Sequence, residues 1–211
     1  MAAIGNVFVE TFRDLEAGHL ELREKLNGLT DRGSELQERL ARELEIFETW
    51  RFDLMAQLGE INAGRPKKEE EPHRRFIRES KYFEAVQEAP FYWRIINKPN
   101  GYAGDAQMMT FIYRNQFEGK TPFGMLLHKH AVSTKACQAV RNRKLFLTQE
   151  ILKVDGGDIL SLAAGPAQEI TELLAVYKED HFNFLALDHD MKTLKAYDVS
   201  DRDSRFKYAL A

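Results

Sequence analysis

Apolar residues recur at Phe8, Phe12, Leu15, Leu22, Leu26 and Leu29, with His19 completing an alternation of steps of four and three. The same rhythm returns at Leu40, Leu44, Phe47, Leu54, Leu58 and Ile61, with Arg51 in the series. Such steps keep a stripe on one helix face, so two amphipathic helices are predicted. Between them Asn27-Gly28 and Thr30-Asp31-Arg32-Gly33-Ser34 supply a stop, a turn and a cap. The pattern reads as a helical hairpin over residues 1–61, or as part of a bundle. His19 and Arg51 interrupt the stripes and read as partly exposed seam positions rather than ligands. A partner-binding or self-associating role for the hairpin is the sharper reading of the same interruptions.

Residues 62–75, NAGRPKKEEEPHRR, hold two prolines, a glycine and a block of opposite charges without an apolar anchor. A solvated linker is expected there. From 76 to 153 the pattern is mostly helical. A short helix is predicted from Phe76 to Glu88, stopped by Ala89-Pro90, and the run Phe91-Tyr92-Trp93 is too aromatic for a surface loop. Asn97 to Asp105 is a dense turn sequence, with Asp105 suited to cap a helix carrying Met108, Met109, Ile112 and Tyr113. Thr121-Pro122 reads as a cap with proline at the first helical position. Ser133-Thr134 opens a longer helix through Val140, Phe146, Leu147 and Ile151.

After Asp155-Gly156-Gly157 the period changes. Ile159–Leu162 and Phe182–Leu187 are short apolar runs, each followed by a helically spaced stretch, Ile170 to Tyr177 and Met191 to Tyr197. Strand, helix, strand, helix is the opening of a parallel sheet, with Phe206–Leu210 as a candidate third strand. The expected fold class is therefore α/β with a large all-α N-terminal region, the start of a Rossmann-like domain occupying residues 154–211.

Composition narrows the function classes. A chain of 211 residues with 44% hydrophobic content can bury a real core, in one large or two small domains. Its net charge of −3 excludes a nucleic-acid binder that relies on overall positive charge. No apolar run approaches the roughly 20 residues of a membrane-spanning helix. The first residues turn acidic and polar too soon for a secretory signal. Cys137 is the single cysteine, which excludes an internal disulfide framework and a multi-cysteine zinc site and makes a reducing cytoplasm the default. His128 and His130 are two apart, hence on different helix faces, so no metal site is expected.

The chemistry concentrates in DILSLAAGPAQEI, Asp158 to Ile170, where a strand enters a helix through a turn with one glycine. A nucleotide lying over such a turn needs a bare backbone and free N–H groups at the helix start. Gly165-Pro166 supplies the sharp exit, and proline loses nothing at the first helical position. Ala163 and Ala167 keep the approach nearly as open as glycine would, although alanine disfavours positive φ. An acid at the tip of the next strand is the second requirement, since it reaches ribose hydroxyls. Asp188 stands there, close to the roughly 20 residues expected from the turn. The pattern from Ala163 is A-x-G-x-A, without the third glycine that the pyrophosphate of NAD prefers. S-adenosylmethionine has no phosphate and tolerates that variation.

Ile159 to Ala167 resembles the first motif of the class I S-adenosylmethionine-dependent methyltransferases, and Leu187-Asp188-His189-Asp190 resembles the second. Ser161, where an acid is usual, and the two alanines depart from the common pattern. Upstream, Lys98 to Asp105, Met108-Met109, Phe117-Glu118-Gly119 and Ala139 to Arg143 are similar in combination to a bacterial methyltransferase group. That group makes 3-hydroxy fatty acid (3-hydroxypalmitic acid) methyl esters used as extracellular quorum signals. The likeness covers roughly residues 75–211.

The resemblance implies S-adenosylmethionine as cofactor, held by Ser161, Ala163, Gly165, Ala167, Glu169, Asp188 and His189, with Glu169 at its amino group. It implies a small or lipid-like acceptor, and a helical segment, 76–153, that covers the active site as a lid. A carboxylate acceptor is already ionised and needs no strong general base, so no catalytic residue is assigned. Arg141 and Arg143 are candidates to grip it through paired hydrogen bonds; the plainer reading is two arginines on an exposed helix face. Tyr102 and Asp105 are candidates to close over the cofactor, against a packed aromatic and a helix cap. Met108, Met109, Phe111 and Tyr113 are either an acyl pocket or ordinary core.

The family's sheet has more strands than this chain supplies. The expectation is therefore the N-terminal part of a methyltransferase, inactive by itself. Two rivals remain: a non-catalytic helical interaction module that associates through the hairpin, and an NAD-binding oxidoreductase fragment.

Overall fold

A computed structural model describes residues 5–177, 181–198 and 203–211. The helices are α1 (Asn6–Asn27), α2 (Gly33–Asn62), α3 (Lys67–Arg78), α4 (Lys81–Ala85), α5 (Pro90–Asn97), α6 (Ala106–Arg114), α7 (Pro122–Ser133) and α8 (Lys135–Ile151). A single 3₁₀ turn, Val86–Glu88, separates α4 from α5. Then come β1 (Gly157–Leu162), α9 (Gln168–Val176), β2 (Phe182–Asp188), α10 (Met191–Tyr197) and β3 (Phe206–Leu210). The chain forms two compact units, one of residues 1–98 with 116–131 and one of 99–115 with 132–211. The stretch 76–153, which reads as a single helical region in the sequence, is thus divided between both.

In the first unit the two stripes meet as expected. Phe8, Phe12, Leu15 and Leu26 of α1 are buried, as are Leu36, Leu40, Phe47 and Leu58 of α2. A Cβ at Gly18 would collide with the Trp50 ring, so a mid-helix glycine is what lets the indole lie against α1. His19 is not a seam residue. It is 1% exposed, its Nδ1 lies 2.7 Å from the Leu15 carbonyl, and its ring packs against Phe47, Trp50 and Tyr82. That local carbonyl satisfies one ring nitrogen, which allows the imidazole to be buried neutral. Burial, the dominant cause, drives its pKa down to about 4.

The charged stretch read as a linker is helical from Lys67 to Arg78. Its opposite charges fall at helical spacing, with Arg74 bonded to Glu70 at 2.7 Å and Arg75 to Glu79 at 2.8 Å. It also has anchors: His73 stacks on Phe8 and Phe76 packs edge-on against Phe12. The helix expected from Phe76 to Glu88 is broken where the Ser80 hydroxyl caps α4 by accepting from Phe83 N–H. Glu88 then accepts from Arg23, Asn27 and Thr121, joining the end of α1 to the start of α7.

In the second unit Asp105 and Thr134 cap α6 and α8. The three strands are parallel in the order β1-β2-β3. One sheet face buries Phe182, Phe184, Ala186, Phe206 and Tyr208 against Ile170, Leu173 and Leu174 of α9. The opposite face shows Leu160 and Leu162 to solvent, 56% and 69% exposed. The chain is therefore mostly helical, with a small parallel sheet in its last quarter. Among the described residues no helix is long and apolar enough to cross a membrane.

Candidate functional site

Beyond Leu162 the β1 pairing continues for one further bond, Ala164 N–H to the Leu187 carbonyl at 3.0 Å, and the chain then reverses. The reversal needs left-handed backbone at Ala163 (φ 51°), Gly165 (φ 57°) and Ala167 (φ 46°). Glycine takes that conformation freely, whereas for each alanine it costs about 1–2 kcal/mol. The Ala167 N–H closes the turn on the Ala164 carbonyl at 3.0 Å, and Ala167 is the N-cap of α9. Pro166 therefore lies within the turn and not at the first helical position expected for it, which Gln168 takes. Ala167 is fully buried, so it supports the turn from beneath and does not line the cleft above.

Asp188, the last residue of β2, reaches this turn directly. Its Oδ2 accepts from Gly165 N–H at 2.8 Å, and its Oδ1 from Asp190 N–H at 3.0 Å. An ionised carboxylate offers about four acceptor positions; with His189 Nδ1 also 3.4 Å from Oδ1, about one or two remain. Parallel pairing of Leu162 with Leu187 brings the two strand tips level, which is why an acid one residue on meets the turn. The Tyr208 hydroxyl of β3 donates to the Gly165 carbonyl. Burial, with the Asp188 and Asp190 charges nearby, raises the Tyr208 pKa and keeps it a donor.

A cleft of about 540 Å³ opens over this turn within the second unit. Ser161, Ala163, Gly165, Glu169, Asp188 and His189 line it on the sheet side, and Tyr102, Met109, Tyr113, Arg143 and Leu147 on the helix side. A Cβ placed on Gly165 would meet nothing within 4 Å, so the floor there is open. Tyr102 and His189 face each other with ring centroids 5.5 Å apart. Arg143 bonds the Tyr113 hydroxyl; burial and the Glu169 charge nonetheless hold that phenol above its ordinary pKa. Burial also raises Glu169, with Arg143 and Lys144 pulling it back. Lys144 itself is bonded to Glu172 at 2.5 Å.

The remaining sequence candidates lie elsewhere. Arg141 donates to the Ile112 carbonyl at 3.0 Å and the Val132 carbonyl at 2.7 Å, and to Gln138, and does not line the cleft. Two residues along a helix is a rotation of about 200°, so 141 and 143 cannot share a target. Asp105 is 1% exposed and acts as the cap of α6, accepting from Met108 N–H at 3.0 Å and from Asn100. Met108 and Phe111 are core, while Met109 and Tyr113, four apart, line the cleft. Tyr208 and Leu147 carry no sequence signal for this site. The first is only an inward-facing strand aromatic, the second a helical leucine.

Among the described residues no three His, Cys, Asp or Glu side chains converge as metal ligands would. The cleft thus offers hydrogen-bond acceptors at the Asp188 end and a cation, a phenol and a desolvated carboxyl at the Arg143 end. No protein-family model, curated protein or solved structure matches this chain.

Proposed function

We propose that the cleft of the second unit binds S-adenosylmethionine and that the reaction served is methyl transfer to a carboxylate of a lipid-like acceptor, such as a 3-hydroxy fatty acid. The observation that carries this is the direct bond between Asp188 and Gly165, which puts a strand-tip acid and a bare turn in one cleft. The residues suit a nucleoside that lacks phosphate. Asp188 keeps acceptor capacity for sugar hydroxyls, and Gly165 leaves room above the backbone. Glu169 suits an ammonium group, and Arg143, beside Tyr113, suits a carboxylate. Met109 and Leu147 suit an alkyl chain.

The bound sulfonium supplies the transferable methyl group. The chain's own part is alignment and exclusion of water, because an ionised carboxylate needs no proton removed. Arg143 holds the anionic acceptor or the cofactor's own carboxylate, and Asp188 fixes the opposite end.

Titration calorimetry of the 211-residue chain with S-adenosylhomocysteine tests the reading. Binding is expected, and Asp188→Asn weakens it about tenfold or more by removing a charge-assisted bond. No binding by the unmutated chain would sink the proposal, and binding of NADH in its place would favour an oxidoreductase.

A further inference from the structure

Gly165 is held from both sides. Its N–H is taken by Asp188 of β2 and its carbonyl by Tyr208 of β3, so two neighbouring strands grip one residue of the turn. The grip is built into the sheet. Ala186 stands opposite Tyr208 and Asp188 opposite Leu210, which places both side chains on the covered face at the strand tips. Both residues are only 8% exposed. The turn they hold is strained, with alanines at 163 and 167 in left-handed backbone. A turn rich in glycine reaches such a shape by backbone freedom alone. This one has two alanines working against it.

The geometry points to Tyr208 as the positioning residue of this site: its hydroxyl holds the Gly165 carbonyl so that the Ala163–Ala167 turn keeps the shape against which a nucleoside lies. Asp188 holds only the peptide before Gly165; the Ala167–Ala164 bond closes the turn but makes no contact with the carbonyl of Gly165. Two bonds, on the N–H and on the carbonyl, fix both peptide planes around the residue. Preorganisation of this kind removes the ordering cost from ligand binding. Its effect on affinity rests on the nucleoside reading above, whereas the grip itself does not.

Tyr208→Phe in the full chain removes the hydroxyl and keeps the ring in the core. Hydrogen exchange followed by mass spectrometry on peptides covering residues 161–170 reads the turn without any ligand. Exchange is expected to rise several-fold there, with the peptides of β2 and of α9 beyond Leu173 unchanged. Affinity for S-adenosylhomocysteine is expected to fall about tenfold, the equivalent of one ordinary hydrogen bond. Unaltered exchange in the turn would overturn the inference. So would an equal rise through β1, β2 and β3, since the hydroxyl would then serve only the core. If exchange rises locally but the unmutated chain binds no nucleoside, the grip stands and the cofactor reading falls.

Discussion

The first unit fills its interior with rings and branched chains: Phe8, Phe12, Phe47 and Phe123 are all at most 2% exposed, and His19 lies among Phe47, Trp50 and Tyr82. The second unit covers one face of a three-stranded sheet, leaves Leu160 and Leu162 open on the other, and keeps a strained turn beside a cleft. A densely packed region tolerates neither lost volume nor added charge. A region that holds strained backbone beside an open cleft has less to lose. The comparison sets a ring-filled helical core against a strained turn beside an open cleft. Both tryptophans, Trp50 and Trp93, belong to the first unit, so their fluorescence follows that unit's unfolding.

The sharpest break in the contrast comes from volume. Phe47→Ala should destabilise the first unit by about 3–5 kcal/mol, measured by urea titration of tryptophan fluorescence. A loss below about 1 kcal/mol would mean that the aromatic core is not the seat of stability.

Acid should act next most strongly, and on the same unit. The pKa of His19 is about 4 in the fold against 6.5 for an unperturbed histidine, so between those values the unfolded chain binds the extra proton. The stabilising contribution is complete above pH 6.5 and is lost progressively as pH falls towards 4, by roughly 3 kcal/mol in all. His128 is lowered in the same direction, to about 4, chiefly by burial. The second unit has no buried histidine among its described residues. The urea midpoint read by fluorescence should therefore drop between pH 7 and pH 5, and His19→Leu should weaken that dependence, with His128 supplying what remains. A midpoint indifferent to pH would refute it.

Strain in the turn is worth less. Ala163→Gly should stabilise the second unit by up to about 1 kcal/mol, the left-handed penalty less the added freedom of the unfolded chain. Slower hydrogen exchange in β1 and β2 is the measurement, and faster exchange would show that Ala163 is not strained. The smallest effect belongs to the open sheet face. Leu162→Ala, at a site 69% exposed, should shift exchange stability by no more than about 0.5 kcal/mol. A cost comparable to that of Phe47→Ala would erase the distinction between the units.

Much of the architecture was legible because its signals are local. The stripes of α1 and α2, the caps Asp105, Thr121 and Thr134, and the short runs that became β1, β2 and β3 are set by residues a few positions apart. Charge without apolar residues hid α3, since His73 and Phe76 find their partners on α1. At the site, Gly165 and Asp188 were visible as types in the right places. Arg141 and Arg143, two apart on α8, point to different helix faces, and the carbonyls of Ile112 and Val132 that hold Arg141 decide which of the two reaches the cleft.

By itself the amino-acid order determined α1, α2, the strands and the place of the turn, because helix and strand periods, caps and glycine positions act within one or two turns of chain. Only the tertiary structure decided that His19 is core, that Arg143 faces the cleft where Arg141 does not, and that Tyr208 meets Gly165. Those outcomes depend on which distant backbone comes within hydrogen-bond reach once the sheet and the helices pack.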